Sequence, residues 1–238
     1  MKKAAKSVVA LGLISVAAAI AAPTAMAEQG DWIIRGGATM VDPKSNNLRL
    51  GTLEGDTLTI ENAVLNVDEG ISFGFNITYM LTNNWGIELL AAVPFSHDVD
   101  LCFTLGGDRG CGKLAEVKHL PPTLSLQYHF RPDATIRPYV GAGINLTLFS
   151  DEKFSNQLQA ALDDLGLGDA SLKLDDSMGF AAQVGADFAI GEKWFINADV
   201  RYIQIDSDVT VRTGGTSASL GDIKIDPLVY SIMIGTRF

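Results

Sequence analysis

The chain has 238 residues, a formal net charge of −10, two cysteines and 47% hydrophobic side chains. No basic run survives beyond the first few residues, which excludes a nucleic-acid partner. After Ala22 nothing approaches 18 consecutive apolar residues, so no helix is expected to span a membrane.

The first element is an export signal. Lys2, Lys3 and Lys6 give a positive start, Val8 to Ala22 an apolar run, and Ala25-Met26-Ala27 the small-residue cleavage pattern. The mature chain is expected to begin at Glu28 as a single domain over 28–238. It keeps 15 basic against 28 acidic residues, a net −13.

From there the hydrophobic pattern has period two. Eight strands are expected at 31–41, 70–81, 85–97, 117–130, 136–149, 176–190, 194–206 and 222–238. Their connections alternate. Short ones ("TNN", "RPDAT", "GEK") follow the second, fourth and sixth strands, and long ones lie at 42–69, 98–116, 150–175 and 207–221. That alternation predicts an all-β fold, an eight-stranded antiparallel up-and-down transmembrane barrel with its short turns in the periplasm.

The two faces of each strand separate cleanly. Met178, Phe180, Ala182, Val184, Ala186 and Phe188 share one face of the sixth strand. Trp85, Ile87, Leu89, Ala91, Val93 and Phe95 share one face of the third. Arg35, Glu88, Arg137, Asp187, Asp199, Arg201 and Arg237 all fall on the opposite, polar phase. A charge at the bilayer midplane costs about 2–4 kcal/mol, so the polar phase must face the lumen. Trp32, Tyr79, Trp85, Tyr128, Phe130, Phe188, Trp194 and Phe238 lie on the apolar phase near the periplasmic strand ends, as an interfacial girdle requires. A soluble barrel of lipocalin type would reverse the faces and would not gather aromatics at one end.

Eight strands leave a lumen that side chains fill. Its periplasmic half is expected to be a self-paired polar floor of Arg35, Glu88, Arg137, Asp187, Asp199 and Arg237. Its outer half is expected to be an apolar well lined by Val41, Ala92, Pro94, Phe149, Gly179, Ala181, Ile203 and Val229. Proline donates no ladder hydrogen bond. Pro94, Pro121 and Pro122, at the outer ends of neighbouring strands, therefore mark a lateral seam, or simply the level where pairing ends. In 150–175, Phe154, Leu158, Ala161, Leu162 and Leu165 recur at helical spacing up to Gly166, which predicts a short helix, either a lid or loop packing. Cys102 and Cys111 are expected to form a disulfide in an exported chain. His97 with Asp98 and His119 with Glu116 sit at the outer rim as candidate ligands, or as solvated loop positions, and His129 points inward near the periplasm. No metal or other cofactor is expected. No nucleophile spacing stands out, so no enzyme activity is expected.

The stretches "FNITYMLTNNWGIELLAAVPF", "LPPTLSLQYHF", "RPYVGAGINLTLF", "AAQVGADF", "DVRYIQID" and "IDPLVYSIMIGTRF" resemble the outer membrane protein W family, AlkL-like members included; "DWIIRGGATMVDP" extends the likeness to the first strand. The resemblance implies an eight-stranded barrel whose hydrophobic channel opens outward and passes small apolar molecules, with lateral release into the membrane. It places a channel constriction at Leu90 and Arg201. Some members carry an aromatic at the second position, and the charge here points to pairing with Glu88 or Asp199. The implied partners are small hydrophobic solutes, outer-membrane lipids and lipopolysaccharide of a Gram-negative cell, and the outer-membrane assembly machinery, for which the terminal Phe238 is suited. The competing readings are a narrow ion or small-solute channel and a loop-mediated receptor or structural protein.

Overall fold

The computed structural model describes residues 28–44, 49–54, 59–105, 108–164, 166, 168, 170–213 and 216–238. The expected export signal, residues 1–27, and Leu165 lie outside them. Eight strands close into the barrel: β1 (Trp32–Asp42), β4 (Gly70–Met80), β5 (Trp85–Ala92), β8 (Thr123–His129), β9 (Ile136–Phe154), β11 (Ser177–Ala189), β12 (Trp194–Ile203) and β15 (Leu228–Arg237). Every neighbour is antiparallel, and pairing of β1 with β15 and of β9 with β11 closes the ring.

The apolar phase faces out. Ile71, Met178, Ile232 and Ile234 are among the most exposed side chains, while Arg35, Glu88, Arg137, Asp187 and Arg201 are buried inside. Trp32 packs on Tyr79 and Trp85 on Tyr128, each pair with ring centres 4.9 Å apart, on the outer surface near the short turns. These pairs are also ladder partners, so the girdle is fixed by strand register.

The long connections are mostly strands, where irregular loops were expected. β2 (Arg49–Glu54), β3 (Thr59–Val67), β6 (Phe95–Leu105) and β7 (Asp108–Leu120) extend the wall together with the upper part of β9. A second sheet comprises β10 (Ser171–Leu174), β13 (Asp206–Thr213) and β14 (Thr216–Lys224). We call these extensions the crown. On its outer surface Ser96 bonds Glu116, and Lys118 pairs with Asp151 at 3.0 Å. This polar surface places the crown above the hydrocarbon layer. Cys102 and Cys111 are disulfide-bonded across the β6–β7 ladder.

The predicted helix forms as α1 (Asn156–Asp164), capped by Ser155 Oγ, which accepts from the Leu158 amide, and followed by Gly166 at φ +72°. It has no buried residue.

Candidate functional site

The lower lumen is one connected ionic layer. Arg35 donates two hydrogen bonds to Asp187, at 3.0 and 2.9 Å, and others to Asn76 and Thr78. Arg201 pairs with Glu88 at 2.7 Å and Asp199 at 3.7 Å. Gln127 and Gln183 donate to Glu88, and Tyr139 donates to Asp199. Asn197 ties the halves together by donating to both Asp187 and Tyr139. Arg137 lies 4.0 Å from Asp187 and over the Phe195 ring. Three guanidinium groups thus meet three carboxylates, a charge-balanced plug filling the bore. Two inward glycines make room for it. A Cβ at Gly235 would strike Phe195, and one at Gly185 would come within 2.5 Å of the Tyr139 ring.

Above the plug lies an apolar layer. Val41, Phe95, Ala181, Ile203, Ile205 and Val229 are buried together, with Ala92, Phe149 and Ile225 packed against them. Above that layer a cavity of about 90 Å³ has seventeen lining residues. All but His97 and His119 are apolar. Most come from the crown: Leu65 and Val67 of β3, Val99 of β6, Leu114 and Val117 of β7, Leu172 and Leu174 of β10, Val209 of β13 and Ile223 of β14.

The two histidine rings stack with centres 4.9 Å apart, and His119 also stacks on Phe95. The Nδ1–H of His97 donates to the Asp68 carbonyl oxygen at 2.6 Å. Burial pushes both imidazoles below their ordinary pKa, that of His119 down to about 3, so both are neutral at pH 7. The His97 ring occupies space that only glycine at position 70 leaves, since a Cβ there would lie 2.8 Å from Nε2.

One side of the wall is interrupted at the level of the apolar layer. The β5–β8 ladder ends at Leu90↔Thr123 and resumes between β6 and β7 at Phe95↔His119. Five steps on one strand therefore face four on the other, which is one bulged residue, and a one-residue slip exchanges the faces. The flanks of the gap bond away from each other. The Val93 amide donates to Phe73 of β4, and the Pro122 carbonyl accepts from the Leu146 amide of β9.

The structure therefore corrects several sequence expectations. Phe95, expected to face lipid, is buried in the lumen, because the bulge at Val93–Pro94 reverses the phase. Pro94 itself is exposed and lines no part of the cavity. Arg237 stands apart from the plug and pairs with Asp31 at 3.6 Å at the periplasmic end. Val41 and Phe149 border the cavity, whereas Ala92, Ala181, Ile203 and Val229 belong to the packed layer beneath it. Leu90 and Arg201 are both buried below that layer, and Arg201 has the two expected carboxylate partners. The histidines, expected at a rim beside Asp98 and Glu116, turn inward. Among the described residues no group of three or more His, Cys, Asp or Glu is placed to hold a metal ion. The crown lining was missed although its signal was present. Apolar alternation continues through Val117 and His119, through Leu172 and Leu174, and through Val209 and Val211.

A closed eight-stranded cylinder with lipid-facing apolar residues, an aromatic girdle and an inward charge network is an outer-membrane β-barrel. The OmpW family model matches residues 28–238, and the chain belongs to that family. It is 40% identical to outer membrane protein W of Vibrio cholerae serotype O1 over 229 residues, 95% of this chain and 97% of the other. The crystal structure of the outer membrane protein OprG from Pseudomonas aeruginosa superposes with a TM-score of 0.75 at 34% identity, covering 90% of this chain and 99% of that one. The solid-state NMR structure of outer membrane protein AlkL in DMPC bilayers gives 0.62 at 28% identity, covering 89% and 91%.

Proposed function

We propose that this barrel is a non-enzymatic, passive conduit through which small hydrophobic molecules cross the outermost barrier of the cell. A solute enters the crown cavity from outside, passes the apolar layer at Phe95, and leaves sideways into the membrane through the gap between the β5–β8 and β6–β7 ladders. The observation that carries the reading is the stacking order of the lumen: an apolar cavity open above, a charge-balanced plug below, and a wall interruption between them. The plug denies an apolar molecule the axial route, since entry would separate paired charges in a site of low dielectric. Pro94, Pro121 and Pro122 flank the only level at which the β5–β8 side lacks ladder bonds among the described residues. Leu90 and Arg201, just below, form the constriction that turns the path outward. The partners are then small apolar solutes and the surrounding outer-membrane lipids.

Proteoliposomes loaded with the protein should take up toluene faster than protein-free vesicles, and glucose no faster. Replacing Pro121 and Pro122 with alanine should slow toluene by restoring ladder donors across the gap. Equal toluene rates with and without the protein would defeat the conduit; unchanged rates in the proline variants would defeat the lateral exit alone.

A further inference from the structure

Fifteen of the seventeen cavity-lining residues need no hydrogen bond from an occupant, and two do. Among the described residues, neither the Nε2 of His97 nor that of His119 has a hydrogen-bond partner, and both atoms are buried. An unsatisfied buried polar atom costs about 1–3 kcal/mol, so such a pair inside an otherwise apolar cavity calls for an explanation. The tautomer of His97 is fixed by its neighbour. A carbonyl oxygen can only accept, so Nδ1 carries the proton that goes to Asp68. In a neutral imidazole this leaves Nε2 a bare acceptor. It can be satisfied only by a donor, and the fifteen apolar lining side chains supply none.

We propose that the His97–His119 pair is a recognition site for the hydroxyl group of an otherwise apolar solute, a small alcohol or phenol, docked in the crown cavity. This inference rests on the conduit reading and narrows its substrate class. The hydroxyl hydrogen is donated to His97 Nε2. The hydroxyl then lies beside the His119 ring, whose centre is 4.9 Å from that of His97. The hydrocarbon body then lies against Val99, Val117 and Phe149. A carboxylate is disfavoured, because a neutral Nε2 acceptor repels it and no cation lines the cavity. An organic cation is disfavoured for want of a carboxylate there.

The test pairs isosteric probes, p-cresol and p-xylene, which differ by a hydroxyl in place of a methyl group. Affinities for the full barrel in nanodiscs are measured by calorimetry for the wild type and for the doubly substituted His97→Phe/His119→Phe protein. The substitution should weaken p-cresol about tenfold, the worth of one neutral hydrogen bond, and leave p-xylene within about twofold. Loss of both probes by the same factor, or of neither, overturns the proposal. Should the double variant fail to fold, imidazole 15N spectra of the wild type decide. The His97 Nε2 resonance must move on adding p-cresol and stay still with p-xylene; a resonance that ignores both, or follows both alike, overturns it. If neither compound enters proteoliposomes faster than protein-free vesicles, it is the conduit reading that has failed.

Discussion

The barrel and its crown are built from the same strands, yet they solve opposite problems. In the barrel, lipid wets the outside, so charge is confined inside, and three arginines and three acids neutralise one another in a solid plug. In the crown, water wets the outside, so Lys113, Lys118 and their acidic partners move to the outer surface and the inside becomes apolar and hollow. The polarity of the lumen is therefore the complement of the solvent beyond the wall. The level where it inverts is where the strands break, at Val93–Pro94, Pro121–Pro122, Gln204–Ile205 and Ile225–Pro227.

The strongest way to break the contrast is to take one plug charge from its nearest partner. Arg35→Met removes both guanidinium hydrogen bonds to Asp187, leaving it only Asn197 and the more distant Arg137, and should cost about 3–5 kcal/mol of barrel stability, read by urea unfolding in bilayers. The additional change Asp187→Leu should recover part of that loss. Next, the boundary between lipid and water can be mapped on the outer surface. Val184→Arg on β11 should cost about 2–4 kcal/mol, whereas Ser96→Arg on β6 should stay within about 0.5 kcal/mol. A cost at Ser96 equal to that at Val184 would move the crown into the hydrocarbon layer.

Removing the disulfide with Cys102→Ser and Cys111→Ser should ease local opening of the β6–β7 hairpin by about 2–3 kcal/mol, seen as faster amide exchange there. Exchange in β11 and β12 should not change. The crown should also loosen in acid. His119 titrates near 6.5 when unfolded and near 3 when folded, so above 6.5 its contribution is fully present. As pH falls below 6.5 the opened crown takes up a proton that the closed one refuses. The loss is about 2 kcal/mol at pH 5. His97, also depressed by burial, adds to it in the same direction. Amide exchange in β7 compared at pH 7 and pH 5, corrected for intrinsic rates, measures the effect.

Much of this molecule was legible in one dimension, for physical reasons. Period-two alternation fixes which face each residue takes, and the cost of charge in lipid decides which face is which. That alone places Arg35, Glu88, Asp187 and Arg201 in the lumen. Legibility failed where the period slipped. Phe95 and His97 continue the odd-numbered rhythm of Ala91 and Val93 but point the other way, because one bulged residue lies between them. It also failed where polarity of the outer surface was mistaken for irregular loop: Phe95, His97 and Val99 on β6, and Leu172 and Leu174 on β10, recur at every second position like barrel residues but with the apolar face turned inward. Arg237 had the correct phase, but it sits too near the strand end to reach the plug.

The bulge at Val93–Pro94 bears on how such proteins diversify. A joint that already accommodates one surplus residue decouples the rhythm above it from the rhythm below. Insertions or deletions in the crown can then be absorbed there without turning the membrane wall inside out. The breaks on other strands flank the same buried apolar layer, which gives the molecule a horizontal plane of cleavage between a membrane-embedded base and an exchangeable top. Transplanting residues 43–69, 95–120, 149–175 and 205–227 together onto a related base should yield a chimera that inserts normally and inherits the selectivity of the donor.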